Sequence, residues 1–211
     1  HTASAGTALL IAATLLEALR ATAVNWWRSS IALWWLVAVP LVIALLVVPR
    51  LAGGSFAQFG LRRWREWTTT EKSYFVQVLL IANVVFPLVL ATPLARRVAQ
   101  PDALHSLATV FLPYLLFGFY QELVYRGLLQ RELVRRWGAV LGILVANVLY
   151  TFGPLHWNYF AMPLARAVPM FAAVFAIGLY FGALYRRSGN LWMVGTFHAI
   201  GNAYIVWSVG G

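Results

Sequence analysis

From Ile31 to Val48 the chain runs for eighteen residues without a charged side chain. A helix rising 1.5 Å per residue needs roughly that length to cross a ~30 Å hydrocarbon layer. Comparable apolar runs follow at Tyr74 to Ala91, from Ala103 onward, at Gly138 to Thr151, at 164–185 and at Leu191 to Val209. Lipid offers no partner to a backbone amide, so each run must satisfy its own hydrogen bonds as a helix. The succession therefore predicts an all-α integral membrane protein, a polytopic bundle of six to eight transmembrane helices around a buried polar cavity. The whole chain, 1–211, reads as one transmembrane domain. Residues 1–102 give N-terminal helices and a basic interfacial loop, and 103–205 give the core that carries the chemistry.

Charge supports this reading. With 62% hydrophobic and 10% charged residues, more apolar surface exists than one soluble core could enclose. The net charge of +10 sits between apolar runs, where it marks topology and headgroup contact, and no nucleic-acid partner is expected. Fifteen of the sixteen basic residues are arginine, with Lys72 the exception, a bias that points to a bacterial source and so to the inner, cytoplasmic membrane. Zero cysteines remove disulfides, thiolate nucleophiles and cysteine-ligated metals, and leave Glu, His, Asn, Ser, Thr and Tyr to carry any chemistry.

Along the chain, residues 7–24 have a helical pattern interrupted by Glu17 and Arg20 and fit either a span or a surface helix. The stretch Ala8 to Leu16 lacks a basic leader and is not read as a signal peptide. Asn25-Trp26-Trp27-Arg28 suits the interface before the Ile31 run, and residues 50–72, with Gly53-Gly54 and Leu61-Arg62-Arg63-Trp64-Arg65-Glu66-Trp67, form a headgroup-level connection. Pro93 closes the second clear span. Threading the spans alternately puts ten basic residues on the face holding 50–72, 131–136 and 186–187 and four on the other, so the first face is predicted to be cytoplasmic.

Within the apolar background, polar residues recur at four-residue spacing. Glu122 precedes Arg126 by four, His156 follows Phe152 by four, and Asn202 follows His198 by four, so each pair shares a helix face. Taken singly, these could be interhelical glue or a structural ion pair. Taken together on three helices of a bilayer protein, they are expected to turn inward onto one wet pocket, because the alternative is a polar group facing lipid. A carboxylate, two imidazoles and a carboxamide suffice for water activation and oxyanion stabilisation. Depth complicates the convergence. Gln121 lies ten residues, about 15 Å, before Arg131, whereas His156 lies eighteen residues, about 27 Å, beyond Gly138 on a straight helix.

The ordered set Glu-x-x-x-Arg preceded by a second position that is acidic in the family, then Phe-x-x-x-His, then His-x-x-x-Asn, over about residues 103–205, resembles the CPBP family. These are the CAAX proteases and bacteriocin-processing enzymes, also called Abi proteins, and they are intramembrane endopeptidases. Tyr125-Arg126-Gly127-Leu128-Leu129-Gln130 extends the first motif. The resemblance implies that position 121 would hold the base that activates water with His156. It also implies that Arg126 would pair with Glu122, and that His198 and Asn202 would line an oxyanion hole. The substrate would be a membrane-anchored peptide or protein cut near its embedded or lipidated end, by implication C-terminal.

Here position 121 is Gln121, where the family has glutamate. A carboxamide has nearly the shape of a carboxylate but accepts no proton from water. Three explanations stay open: a change made to inactivate or trap the enzyme, a natural variant using Glu122, or a protein that binds peptides without cutting them. Zinc is the rival mechanism, since two histidines and a carboxylate form a plausible ligand set. The chain lacks His-Glu-x-x-His, so metal-free, glutamic-type catalysis without a cofactor is the expectation. A transporter relaying protons through Glu122, His156 and His198 would call for paired broken helices, and no such pair is present.

Overall fold

The computed structural model describes residues 2–27, 32–51 and 55–209. Arg28, Ile31 and the Gly53-Gly54 pair lie outside the described residues, as do the side chains of Asn25, Trp26 and Trp27. Among the described residues the chain is helical throughout, with no strand. Helix α1 spans Thr2–Trp27 and α2 spans Leu33–Leu51. Two 3-10 turns, Phe56–Phe59 and Trp64–Glu66, lead to α3, Thr69–Val89. Then come α4 (Ala91–Val98), α5 (Ala103–Trp137), α6 (Ala139–Phe152), a 3-10 turn at Pro154–His156, and α7 (Trp157–Phe160). Helices α8 (Leu164–Ser188) and α9 (Leu191–Val209) complete the bundle.

Among the described residues five helical segments are long and apolar enough to cross a membrane: Gly6–Ala23, Thr69–Val89, Ala103–Trp137, Ala139–Phe160 and Leu164–Ser188. Leu33–Val48 is a shorter apolar helix. The helix α9, expected as a span, falls outside that set because His198 and Asn202 dilute its apolarity. It is enclosed by protein, with eleven of its nineteen residues buried. Helices α5, α3 and α4 pack around α9, so its two polar side chains meet protein.

Helix α3 begins five residues before Tyr74 because Thr68 and Glu71 form a capping box, each side chain satisfying the other's backbone amide. Pro93 does not end a span. It lies in the first turn of α4, where its missing N–H costs nothing. The aromatic and basic connection folds on itself, with Trp64 and Trp67 tilted against each other and both edge to face with Phe75, and Arg62 bridging to Glu71 at 2.7 Å. The 35-residue helix α5 is continuous, as its uninterrupted pattern predicts, but Leu107–Phe111 and Leu123–Gln130 are wound as π-helix. Such wider turns concentrate at functional sites, where they redirect side chains. The second lies immediately after Glu122.

Polar side chains tie the helices together. Trp207 Nε1 donates to Ser106 Oγ at 2.9 Å, Tyr204 donates to Asn83 at 3.1 Å, and Trp34 Nε1 donates to the Ala108 carbonyl at 2.9 Å. The tight connection between α8 and α9 turns on Gly189 in the left-handed region, φ 59°. The amide of Leu191 then docks on the Gly60 carbonyl at 2.9 Å.

Candidate active site

The site is built where α5 and α9 touch most closely. A Cβ added to Gly118 would lie 2.6 Å from the Ala199 Cα and 2.8 Å from its nitrogen, so only glycine allows the two backbones to approach this far. One turn along α5, that approach places two polar side chains against two on α9. Asn202 Nδ2 donates to Gln121 Oε1 at 2.9 Å. His198 Nδ1 lies 2.6 Å from Glu122 Oε1. Gln121 and Glu122 therefore address different α9 residues from adjacent positions, as the 100° step between successive helical residues requires.

Glu122 is wholly buried, and its other oxygen faces Arg126 Nε at 3.3 Å. Arg126, 1% exposed, donates through Nη2 to the Gly178 carbonyl at 2.9 Å and lies 4.4 Å over the Tyr150 ring. Four residues later Gln130 repeats the arrangement by donating to the Gly182 carbonyl at 2.9 Å. Both acceptors on α8 are glycines. At Gly178 a Cβ would collide with Asn147 Oδ1, and at Gly182 it would come within 2.8 Å of Gln130 Oε1. Arg126 thus links the Glu122 carboxylate to α8 and α6 as well as bracing its own helix.

His156 reaches the site through the broken end of α6. After Phe152 the chain turns at Gly153-Pro154, and His156 Nδ1 comes back to the Tyr150 carbonyl at 3.0 Å. The imidazole therefore lies level with residue 150, about 18 Å along α6 from Gly138 in place of ~27 Å, which removes the depth mismatch with Gln121. Tyr150 is the spacer between the two histidines, its ring edge-on to His156 at 5.3 Å and to His198 at 6.1 Å. The structure thus brings Gln121, Glu122, Arg126, His156, His198 and Asn202 into one region.

The hydrogen bonds fix the imidazole tautomers. A carbonyl oxygen only accepts, so Nδ1 of His156 carries the hydrogen, and an ionised Glu122 requires the same of Nδ1 on His198. In both rings Nε2 is the atom left for chemistry. Asn202 likewise uses one amide hydrogen on Gln121 and keeps the other. Glu122 has both oxygens directed at cationic or donor groups. Among the described residues no three His, Asp, Glu or Cys side chains are grouped to hold a metal ion.

Several contributors were not singled out in the sequence. Glu17 and Arg20 of α1, 7% and 5% exposed, pair with each other inside the bundle, and Tyr125 donates to Glu17 Oε2 at 3.2 Å. Their three-residue spacing on one helix face is the signal that marks them, and their burial shows that this face of α1 is turned into the bundle. Tyr150, Gln130 and the Gly178/Gly182 pair carry no signature of their own, because each acts through a partner remote in sequence.

Residues 103–204 match the family described as Rce1-like, type II CAAX prenyl endopeptidase Rce1-like. No match was found among curated proteins or among solved structures.

Proposed function

Starting from a chain whose residues 103–204 belong to the CAAX-type membrane proteases of the CPBP family, we propose hydrolysis of a peptide bond near the membrane-embedded, C-terminal end of an anchored substrate. The observation that supports this most is the double contact between α5 and α9, Gln121 to Asn202 and Glu122 to His198, with His156 one tyrosine away.

In this reading a carboxylate at position 121 takes a proton from water as the oxygen attacks the scissile carbonyl, and returns that proton to the departing amine as the C–N bond breaks. His156 orients that water, which donates to the Nε2 left free by the Tyr150 carbonyl. As charge grows on the carbonyl oxygen, Asn202 offers its second amide hydrogen to it, and His198, held by Glu122, lines the same oxyanion hole. Gln121 supplies no base, so this chain binds substrate and turns it over slowly. General-base catalysis is typically worth about 10² to 10⁴ in rate. The carboxamide already accepts from Asn202, and a carboxylate oxygen in the same place would accept the same bond, so Gln121→Glu is expected to be structurally silent.

The catalysis proposed is metal-free. Support comes from the donor set: Glu122, the carboxylate beside the two histidines, has one oxygen on His198 and the other on Arg126, which leaves the imidazoles without a free acidic co-ligand. Activity of the Gln121→Glu form is expected to survive chelation with no zinc in the purified protein, and loss on chelation with recovery on adding zinc would replace this reading with a metalloprotease. We further place the chain in a bacterial cytoplasmic membrane, on the arginine bias and the ten-to-four distribution of basic residues.

The test is cleavage of peptides in reconstituted membranes by this chain and by Gln121→Glu. A gain of at least a hundredfold on the substitution supports the proposal. No gain, with a substrate shown to bind, rejects it in favour of a peptide-binding protein of the same fold.

A further inference from the structure

Helix α1 lies outside the matched segment, yet it delivers a buried ion pair to the edge of the site. Arg20 addresses Glu17 through Nε at 3.1 and 3.2 Å and through Nη2 at 3.0 Å. Its Nη1 has no hydrogen-bond partner among the described residues and is not sealed from the surroundings. A cavity of about 290 Å³ opens onto Arg20. Tyr114 and Asn158 add two polar groups to its wall, and Leu36, Phe117 and Leu155 make much of the remainder apolar. The guanidinium is held over the Phe117 face at 5.6 Å.

Location gives this cavity its meaning. Asn158 is two residues beyond His156, and Pro154 and Leu155, immediately before it, line the same cavity as Arg20. Extended peptide advances about 3.3 Å per residue, so two or three residues beyond a scissile bond held at His156 would reach the cavity. Guanidinium, phenol and carboxamide hydrogens around an otherwise apolar wall suit a planar anion that ends an apolar side-chain segment. Glu17 neutralises the charge of Arg20 without occupying Nη1, so recognition there depends on directed hydrogen bonds.

We propose that this cavity is the subsite for the free C-terminal carboxylate of the substrate tail, with Arg20 as the residue that selects it. The proposal rests on the protease reading above, because it is that reading which places a peptide at His156. It makes α1 the element that distinguishes a chain terminus from an internal peptide bond.

The test compares acetyl-Val-Ile-Met as the free acid and as the C-terminal amide, titrated against the full chain in lipid nanodiscs. The acid is expected to bind at least tenfold more tightly than the amide. Arg20→Gln strands Glu17, so the paired variant Glu17→Gln with Arg20→Gln is used to remove both charges, and it is expected to bind acid and amide equally. Equal binding of the two peptides by the unaltered chain, binding of neither, or an acid preference that survives the paired variant would each overturn the proposal. Cleavage by Gln121→Glu is read separately. Cleavage without acid preference removes the subsite alone, and acid preference without cleavage leaves the carboxylate site standing while removing the protease.

Discussion

Gln121 and Glu122 are adjacent, similar in size and both buried, yet their surroundings assign them different work. Gln121 meets a carboxamide, a partner that would serve a carboxylate equally well. Glu122 meets an imidazole and a guanidinium, and it is the counter-charge of the buried guanidinium. Glu122→Gln is therefore predicted to be costly where Gln121→Glu is silent. It leaves Arg126, 1% exposed, without its counter-charge, a loss of about 3 to 5 kcal/mol by analogy with other broken buried pairs, to be read from thermal unfolding in detergent. In the Gln121→Glu background, Asn202→Ala is predicted to lower kcat by about 10² to 10³ while KM changes little, as for removal of one oxyanion donor. A change confined to KM would move Asn202 from transition-state stabilisation to substrate binding.

The helices set the precision of these contacts. Gly118 meets the Ala199 backbone directly, so Gly118→Ala is predicted to push α9 outward and weaken both cross-helix pairs at once. The expected cost is about 1 to 3 kcal/mol of stability, with a larger loss of cleavage in the Gln121→Glu background. Equal cleavage with and without the added methyl would show that close approach of α5 and α9 is not required. The same helices show what the sequence conveys. Spans, the unbroken α5 and the break after Phe152 were legible, because length, apolarity, glycine and proline act locally. The level of His156 was not, since a straight helix overshoots and only the return to the Tyr150 carbonyl corrects it. The π-wound stretch Leu123–Gln130 and the glycine acceptors on α8 were equally silent, for they answer to packing between segments more than fifty residues apart. Glu122 with Arg126 and His198 with Asn202 do each share a helix face, whereas Phe152 and His156 do not, because α6 ends at Phe152 and His156 lies in the turn beyond it. Glu17 and Arg20 of α1 were visible only as an anomaly in an apolar run.

The whole bundle packs other helices around α9, which supplies one side of both the Gln121–Asn202 and the Glu122–His198 contacts. Such a bundle has a definite orientation. Lacking cysteine, the chain accepts single-cysteine labels cleanly. Cysteines at positions 65 and 187 are predicted to react with an impermeant reagent from the cytoplasmic side, and one at 97 from the opposite side. Labelling of 65 and 97 from the same side would contradict the threading. The central claim, however, is that residues from α5, the α6 turn and α9 form one site, and coupling tests it most directly. In the Gln121→Glu background, single-turnover cleavage would be measured for His156→Ala, His198→Ala and the two combined. Parts of one catalytic unit predict a combined loss close to that of the worse single variant. Losses that multiply, or a single variant that cleaves at the parent rate, would contradict it.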